Sequence, residues 1–214
     1  SSTSAAIIEE INHSRKAYII TVEDPIEYVF ANDLSIIEQR EIGRDTNNFE
    51  DALKYFQEED GDVLFLEQLS KPEVIPLALD IASGNSLVIT TMAADTAGKA
   101  VASILDSFTS FDQDRIRDML ARSLKAVVCQ KIIPKIGGGL KAICEILLVN
   151  DTVKATIAKG NVGQLEDIVQ TSRKEGMISF NQALLDAVRK GEISSEDAVA
   201  NSPDPQGLEK LTRQ

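Results

Sequence analysis

The sequence predicts an α/β fold in which helices flank a mostly parallel sheet. Three short apolar segments rich in β-branched residues, at 18–22, 63–66 and 86–91, have the composition of strands covered on both faces. Segments with the apolar spacing of helices separate these strands. Strands that alternate with helices form parallel sheets, because each connection must cross one face of the sheet to return.

Apolar periodicity, helix caps and turn residues predict the other elements in order. Helices are predicted over 4–14, 48–57, 72–82, 96–106 and 112–127, with a short extended segment over 34–37. An antiparallel hairpin is predicted over 130–149, because Gly137, Gly138 and Gly139 permit the positive φ of a tight turn. Four further helices follow over 151–159, 163–174, 179–190 and 194–200, and residues 201–207 indicate a loose tail. We therefore expect a sheet domain over 1–150, a helical appendage over 151–201 and a tail over 202–214.

Composition is that of a soluble globular protein, with 43% hydrophobic residues in 214. The net charge of −12 argues against a nucleic-acid footprint and against binding to anionic membranes. No apolar run approaches the roughly 20 residues that span a bilayer, and the first residues lack the features of a signal peptide. Cys129 and Cys144 lie in apolar runs without CxxC spacing, which favours two buried thiols over a disulfide. These features predict a cytoplasmic protein without direct membrane insertion.

Three carboxylates gather where the first predicted strand ends, at Glu23, Asp24 and Glu27. Pro25 ends this strand, because proline cannot donate a hydrogen bond to a sheet ladder. Open α/β sheets bind ligands at the carboxyl ends of their strands, and carboxylates suit a hydrated Mg²⁺ and the phosphates that it carries. Two interpretations remain open: a magnesium–phosphate site, or a strand followed by an acidic surface turn.

Several short motifs occur in one order over about 200 residues, although none is specific alone. They are Ile20-Thr21-Val22-Glu23-Asp24-Pro25-Ile26-Glu27, Gln39-Arg40-Glu41 with Arg44-Asp45-Thr46, Asp60-Gly61-Asp62, Lys135-Ile136-Gly137-Gly138-Gly139, Ser172-Arg173 and Phe180-Asn181-Gln182-Ala183-Leu184. In these motifs the chain resembles the type IV pilus retraction ATPases, the PilT and PilU group of hexameric type II/IV secretion ATPases. The first motif looks like the aspartate box of that family, and the strand after Asp62 lies where its Walker B strand belongs.

The resemblance implies a RecA-like P-loop NTPase core with a β-hairpin and a C-terminal helical appendage. It also implies a role in twitching motility with ATP and Mg²⁺ as cofactors, in a homo- or hetero-hexamer of pilus motor subunits. Such a motor lies in the cytoplasm, peripheral to the inner-membrane pilus machinery. The resemblance assigns nucleotide binding to Ser1, Ser2, Arg40 and Arg44, Mg²⁺ to Ser1, Glu23 and Asp24, and catalysis to Glu23, Asp24, Glu27, Glu67 and Gln68.

Three departures from the family pattern concern catalysis. The family binds phosphates with a glycine-rich loop ending in Gly-Lys-Ser/Thr, and this sequence has none. The family's Gly-Glu pair aligns with Glu67-Gln68, and its box histidine aligns with Ala93. An amide can orient water but cannot accept a proton, and losing a general base slows a reaction by roughly 10²–10⁴-fold. Ser70 also stands where the family has arginine.

These departures leave three hypotheses. The chain is part of a pilus retraction ATPase subunit with a degenerate ATP site and weak or no hydrolysis by itself. Alternatively, it is a non-catalytic paralogue that assembles with an active motor or regulates it. A third hypothesis is an adaptor that uses only its C-terminal helices. Two structural alternatives also stay open: Glu23, Asp24 and Glu27 cap the turn or pair with arginine, and Arg40 and Arg44 form surface ion pairs.

Overall fold

The computed structural model describes residues 1–69 and 71–212, which form two compact units. The first unit is Ser1–Met92 and the second begins at Ala93. The first contains α1 (Ser2–Ser14), β1 (Tyr18–Glu23), β2 (Ile36–Glu41), α2 (Phe49–Glu58), β3 (Val63–Leu66), α3 (Val74–Ser83) and β4 (Leu87–Thr90). The second contains α4 (Ala97–Asp106), α5 (Ser110–Ser123), β5 (Ala126–Pro134), β6 (Leu140–Leu148), α6 (Asp151–Ala158), α7 (Leu165–Thr171), α8 (Phe180–Arg189), α9 (Ser195–Asn201) and α10 (Pro205–Thr212).

The first unit is built on a four-stranded sheet in the order β2-β1-β3-β4, and every strand pair is parallel. This confirms the predicted α/β class. Strands β1 and β3 lie in the middle, and their apolar residues are buried on both faces of the sheet. Strand β4 was expected to be equally buried, but Leu87 is 36% exposed and the rest of the strand is half-buried. The difference arises because β4 pairs only with β3 within residues 1–69 and 71–212.

Helix α1 packs on the sheet through Ile8, which joins Ile19, Val63 and Phe65 in one core cluster. The apolar spacing of this segment predicts one face formed by Ala5, Ile7, Ile8 and Ile11, but Ile7 is 41% exposed. The buried positions of α1 are Ser4, Ile8 and Asn12, whose four-residue spacing defines one side of an α-helix. Asn47 and Asn48 are both candidate caps of the next helix by sequence, and the structure selects Asn48, whose side chain accepts a hydrogen bond from the Asp51 amide.

The second unit contains the predicted hairpin, in which β5 and β6 pair antiparallel from Ala126↔Leu148 to Pro134↔Leu140. Gly137, Gly138 and Gly139 all have positive φ in the turn, as predicted. Helix α5 ends at Ser123, earlier than expected, because the following β-branched residues pair with β6. Cys129 of β5 is buried and Cys144 of β6 is half-buried, and both thiols are free. Burial raises the pKa of the Cys129 thiol to about 11.

The end of the chain departs from the expected loose tail. Residues Pro205–Thr212 form α10, with proline in the first turn and Asp204 Oδ1 accepting a hydrogen bond from the Gly207 amide at 3.0 Å. Leu208 is buried in a cluster with Phe180 and Leu184 of α8, and this burial holds α10 in place. The rest of the predicted tail, residues 213–214, lies outside the described residues. The boundary expected near residue 150 differs from the division at Ala93 and stays a prediction.

Candidate functional site

The carboxyl ends of β1 and β3 and the amino end of α1 enclose a small cleft in the first unit. We call it the acidic cleft; it is lined by Ser1, Ala5, Ile8, Glu23, Glu27, Tyr28, Phe30, Phe65 and Glu67. The structure thus brings together four residues that the sequence predicted for one site, namely Ser1, Glu23, Glu27 and Glu67. The cleft has a volume of about 10 Å³, which is room for about one water molecule.

Glu23 is the last residue of β1 and is only 4% exposed. Its Oε1 accepts a hydrogen bond from Thr21 Oγ1 at 2.7 Å and another from Gln39 Nε2 at 3.2 Å. Thr21 lies on the same side of the strand as Glu23, because side chains alternate along β1. Gln39 reaches the carboxylate from β2, where it pairs in register with Thr21. These two donors offset the cost of burying a carboxylate beside the core.

Glu67 follows β3 and is held from both neighbouring strands. Its carboxylate Oε2 accepts a hydrogen bond from the Asp24 amide, and its carbonyl oxygen accepts one from Thr91 Oγ1. Its own amide donates to the Val22 carbonyl at 3.0 Å. The carboxylate that lines the cleft at this strand end is therefore Glu67, whereas Gln68 is exposed and does not line it.

The other predicted residues of the aspartate box and the amino terminus contribute less directly. Asp24 is exposed and does not line the cleft, so it takes part through its backbone amide alone. Glu27 is also exposed but lines the cleft rim. Ser1 occupies the N-cap position of α1 without a side-chain cap hydrogen bond. Ser2 does not line the cleft, but its Oγ lies 2.9 Å from Tyr28 Oη at the cleft wall.

The predicted Mg²⁺ ligands do not all meet in the acidic cleft. Within 1–69 and 71–212, no three or more His, Cys, Asp or Glu side chains are placed to hold a metal ion. Of the predicted Mg²⁺ set, Ser1 and Glu23 share the cleft, whereas Asp24 lies outside it.

The two predicted nucleotide-binding arginines lie in ion pairs and not at the cleft. The Arg40 side chain is 13% exposed, and its Nη2 lies 2.6 Å from both Glu38 Oε1 and Glu59 Oε2. Tyr18 Oη donates to the other oxygen of Glu38 at 2.7 Å, and this hydrogen bond raises the pKa of Tyr18 to about 12. Arg44 is 76% exposed and lies 4.0 Å from Asp45. This arrangement matches the ion-pair alternative left open by the sequence.

Ala93 and Ser70 are the other positions at which the sequence departs from the family pattern. Ala93 is exposed and is the first residue of the second unit. Ser70 lies outside the described residues.

Sequence reasoning missed the roles of Thr21 and Gln39 in holding Glu23. The alternation of side chains along a strand could have identified Thr21, whereas Gln39 required the pairing of β1 with β2.

A parallel sheet with flanking helices and a candidate site at its carboxyl edge is the architecture of a RecA-like ATPase domain. The family described as "Type II/IV secretion system protein" matches residues 1–139, and the chain belongs to this family. Within it, the chain is 34% identical to the type IV pilus retraction ATPase PilT of Pseudomonas aeruginosa, over 97% of this chain and 60% of PilT. It is 38% identical to a twitching motility protein of Neisseria gonorrhoeae, over 92% of this chain and 53% of that protein. PilU of Pseudomonas aeruginosa is 33% identical over 100% of this chain and 56% of PilU.

Solved structures agree with the sequence relatives. The crystal structure of the pilus retraction motor PilT with bound ADP matches with a TM-score of 0.90 at 36% identity, over 97% of this chain and 59% of that one. The ATPase DotB of Legionella pneumophila matches with a TM-score of 0.81 at 20% identity, over 92% of this chain and 55% of that one, which supports the fold alone. The chain thus spans little more than half the length of these relatives. In the part of the chain that the structure describes, no helix has the length and apolar character to cross a membrane.

Proposed function

We propose that this chain acts within a subunit of a hexameric type IV pilus retraction ATPase and hydrolyses ATP weakly or not at all on its own. The observation that carries the proposal is the acidic cleft at the carboxyl edge of the sheet, in a chain that matches PilT with a TM-score of 0.90. Carboxylates at this edge suit a nucleotide bound with Mg²⁺, and the PilT structure contains the nucleotide ADP.

Three features support weak or absent hydrolysis by residues 1–214. Residues 1–214 contain no Gly-Lys-Ser/Thr loop, whose backbone amides and lysine hold the phosphates in P-loop proteins. Gln68 stands at the position of the family's catalytic glutamate and cannot accept a proton. The Glu67 carboxylate, which could replace it, already accepts a hydrogen bond from the Asp24 amide.

The proposed setting follows from the pilus relatives. The partners are pilus motor subunits, in a homo- or hetero-hexamer at the cytoplasmic face of a pilus or secretion machine, peripheral to the inner membrane. The charge of −12 makes nucleic acid an unsuitable partner. The alternative function is a non-catalytic paralogue that assembles with an active motor or regulates it, which the replacements at Gln68 and Ala93 favour.

ATP turnover by the purified chain tests the first part of the proposal. We expect no turnover above background in the presence of Mg²⁺. A clear turnover that disappears in Glu67→Ala, but persists in Glu58→Ala, would contradict it, because Glu58 is an exposed glutamate at the end of α2.

Assembly is tested separately by light scattering of the chain alone and mixed with an active pilus retraction motor. The paralogue function predicts a complex with the active motor in the mixed sample. A chain that stays monomeric in both samples would count against that function.

A further inference from the structure

Residues 24–35, which we call the strap, connect β1 to β2 without regular secondary structure. Side chains from other segments satisfy much of its backbone. The Asp24 amide donates to Glu67, and the Ile26 amide donates to Glu41 Oε2 at 3.1 Å. A segment with no ladder of its own needs such partners, because unpaired backbone groups beside a core destabilise the fold.

The side-chain amide of Gln39 holds the middle of the strap in the same manner. Gln39 Nε2 donates to the Tyr28 carbonyl at 2.7 Å, and Gln39 Oε1 accepts from the Phe30 amide at 2.9 Å. The Gln39 amide group thereby donates and accepts hydrogen bonds as the peptide group of a neighbouring strand would.

Asn12 of α1 repeats this pattern three residues further along the strap. Its Nδ2 donates to the Ala31 carbonyl at 2.8 Å, and its Oδ1 accepts from the Asp33 amide at 3.1 Å. Asn12 is completely buried, so its amide has no water to exchange these bonds with.

The side-chain amides of Gln39 and Asn12 differ in their third contact. Gln39 Nε2 also donates to Glu23 Oε1 at 3.2 Å, whereas the third contact of Asn12 is with Glu9 at 3.5 Å. One amide group therefore joins the buried carboxylate of the cleft to the strap residues Tyr28 and Phe30, which line the same cleft. Asn12 holds the strap without a contact to Glu23.

We propose that Gln39 is a positioning residue of the acidic cleft, which fixes the Glu23 carboxylate and the cleft-lining part of the strap in one arrangement. The use of this cleft for a nucleotide rests on the function proposed above, whereas the positioning by Gln39 rests on the contacts just described. Gln39 acts through Glu23, Tyr28 and Phe30 and does not itself line the cleft.

Gln39→Glu and Asn12→Asp form a matched pair that tests this role. Each replacement keeps a side-chain oxygen that can accept a hydrogen bond from the strap amide, at Phe30 or Asp33. Each loses the NH₂ group that donates to the strap carbonyl, at Tyr28 or Ala31. We expect Gln39→Glu to speed amide hydrogen exchange at Phe30 by about tenfold, as for one lost hydrogen bond. We also expect it to shift the ¹³C resonance of the Glu23 carboxyl group. Asn12→Asp should speed exchange at Asp33 by a similar factor and leave the Glu23 resonance in place.

The resonance of Glu23 decides between positioning and simple anchoring of the strap. An unchanged resonance in Gln39→Glu, or an equal shift in Asn12→Asp, would overturn the proposal. If Gln39→Glu does not fold, Gln39→Asn replaces it, since the shorter amide cannot reach all three partners and carries no charge. ATP turnover by the unmodified chain that depends on Glu67 would contradict the function proposed above, and the exchange and resonance results would still decide the role of Gln39.

Discussion

Each compact unit buries a glutamate, and the two carboxylates are held by different kinds of partner. Glu23 of the first unit is 4% exposed and accepts both hydrogen bonds on one oxygen, from the side chains of Thr21 and Gln39. Glu145 on β6 of the second unit is 6% exposed and uses both oxygens. Its Oε1 accepts from the Ala97 amide at 2.7 Å and its Oε2 from the Phe180 amide at 3.2 Å.

The donors to the two carboxylates differ because the two side chains lie in different surroundings. Ala97 and Phe180 are the first residues of α4 and α8, so Glu145 binds two helix amino termini, where unpaired amides and the helix dipole favour negative charge. Glu145 therefore ties two helices to the hairpin. Glu23 lies at a sheet edge that opens to the acidic cleft, and its partners are side chains rather than backbone amides. Burial alone does not identify a functional carboxylate, whereas the nature of its partners distinguishes the two.

The largest expected effect is that of Glu145→Gln. A glutamine can accept from one of the two helix amides but must turn its NH₂ group toward the other, and it loses the charge that both helix ends favour. We expect the free energy of unfolding to fall by about 2–4 kcal/mol, measured by urea denaturation. The exposed Glu58→Gln serves as control, with a change below about 0.5 kcal/mol. A loss for Glu145→Gln no larger than that of the control would remove the structural role assigned to Glu145.

Glu23→Gln should cost less, about 1 kcal/mol in the same assay, because the amide oxygen can still accept from Thr21 and Gln39. Thr21→Val provides the companion measurement, since it removes one donor and leaves the carboxylate in place. An equal loss of stability in Glu23→Gln and Glu145→Gln would contradict the claim that the two buried glutamates have different roles.

The smallest effect is expected where carboxylates are exposed, around His13. Its Nδ1 lies 2.6 Å from Asp33 Oδ2 and its Nε2 lies 3.1 Å from Glu9 Oε1. The hydrogen bond to Asp33 raises the pKa of His13 above its usual value of 6.5, with a further contribution from Glu9. The protonated ring therefore stabilises the fold fully below about pH 6.5, and this contribution is lost as the pH rises through the raised pKa.

Urea midpoints at pH 6 and pH 8.5 measure this contribution. The drop in midpoint between the two pH values should be larger in the unmodified chain than in His13→Gln, which cannot titrate. A drop of equal size in both proteins would show that the carboxylates around His13 do not stabilise its charged form.

Sequence patterns predicted most elements because these depend on nearby residues. Asn48 caps α2 through a residue three positions later, and the three glycines of the hairpin turn need only their own backbone freedom. The errors lie where distant residues decide. The expected loose tail is helical because Leu208 packs on α8, and α5 stops early because the next residues pair with β6.

The same distinction holds for the candidate site. The sequence placed Glu23, Glu27 and Glu67 at strand ends, and parallel strands bring such ends to one edge of a sheet. The sequence could not assign the Glu67 carboxylate to the Asp24 amide, or Arg40 to Glu38 and Glu59, because these contacts join segments far apart in the chain.

The sequence by itself determined the α/β class, the order of the elements and the family, since apolar periodicity and short motifs are local properties of the chain. It also located the acids of the candidate site. Only the tertiary structure decided which carboxylates share the cleft, which ones bind backbone amides and how the strap is held. The physical reason is that hydrogen bonds between distant side chains depend on strand register and helix packing, which no single segment specifies.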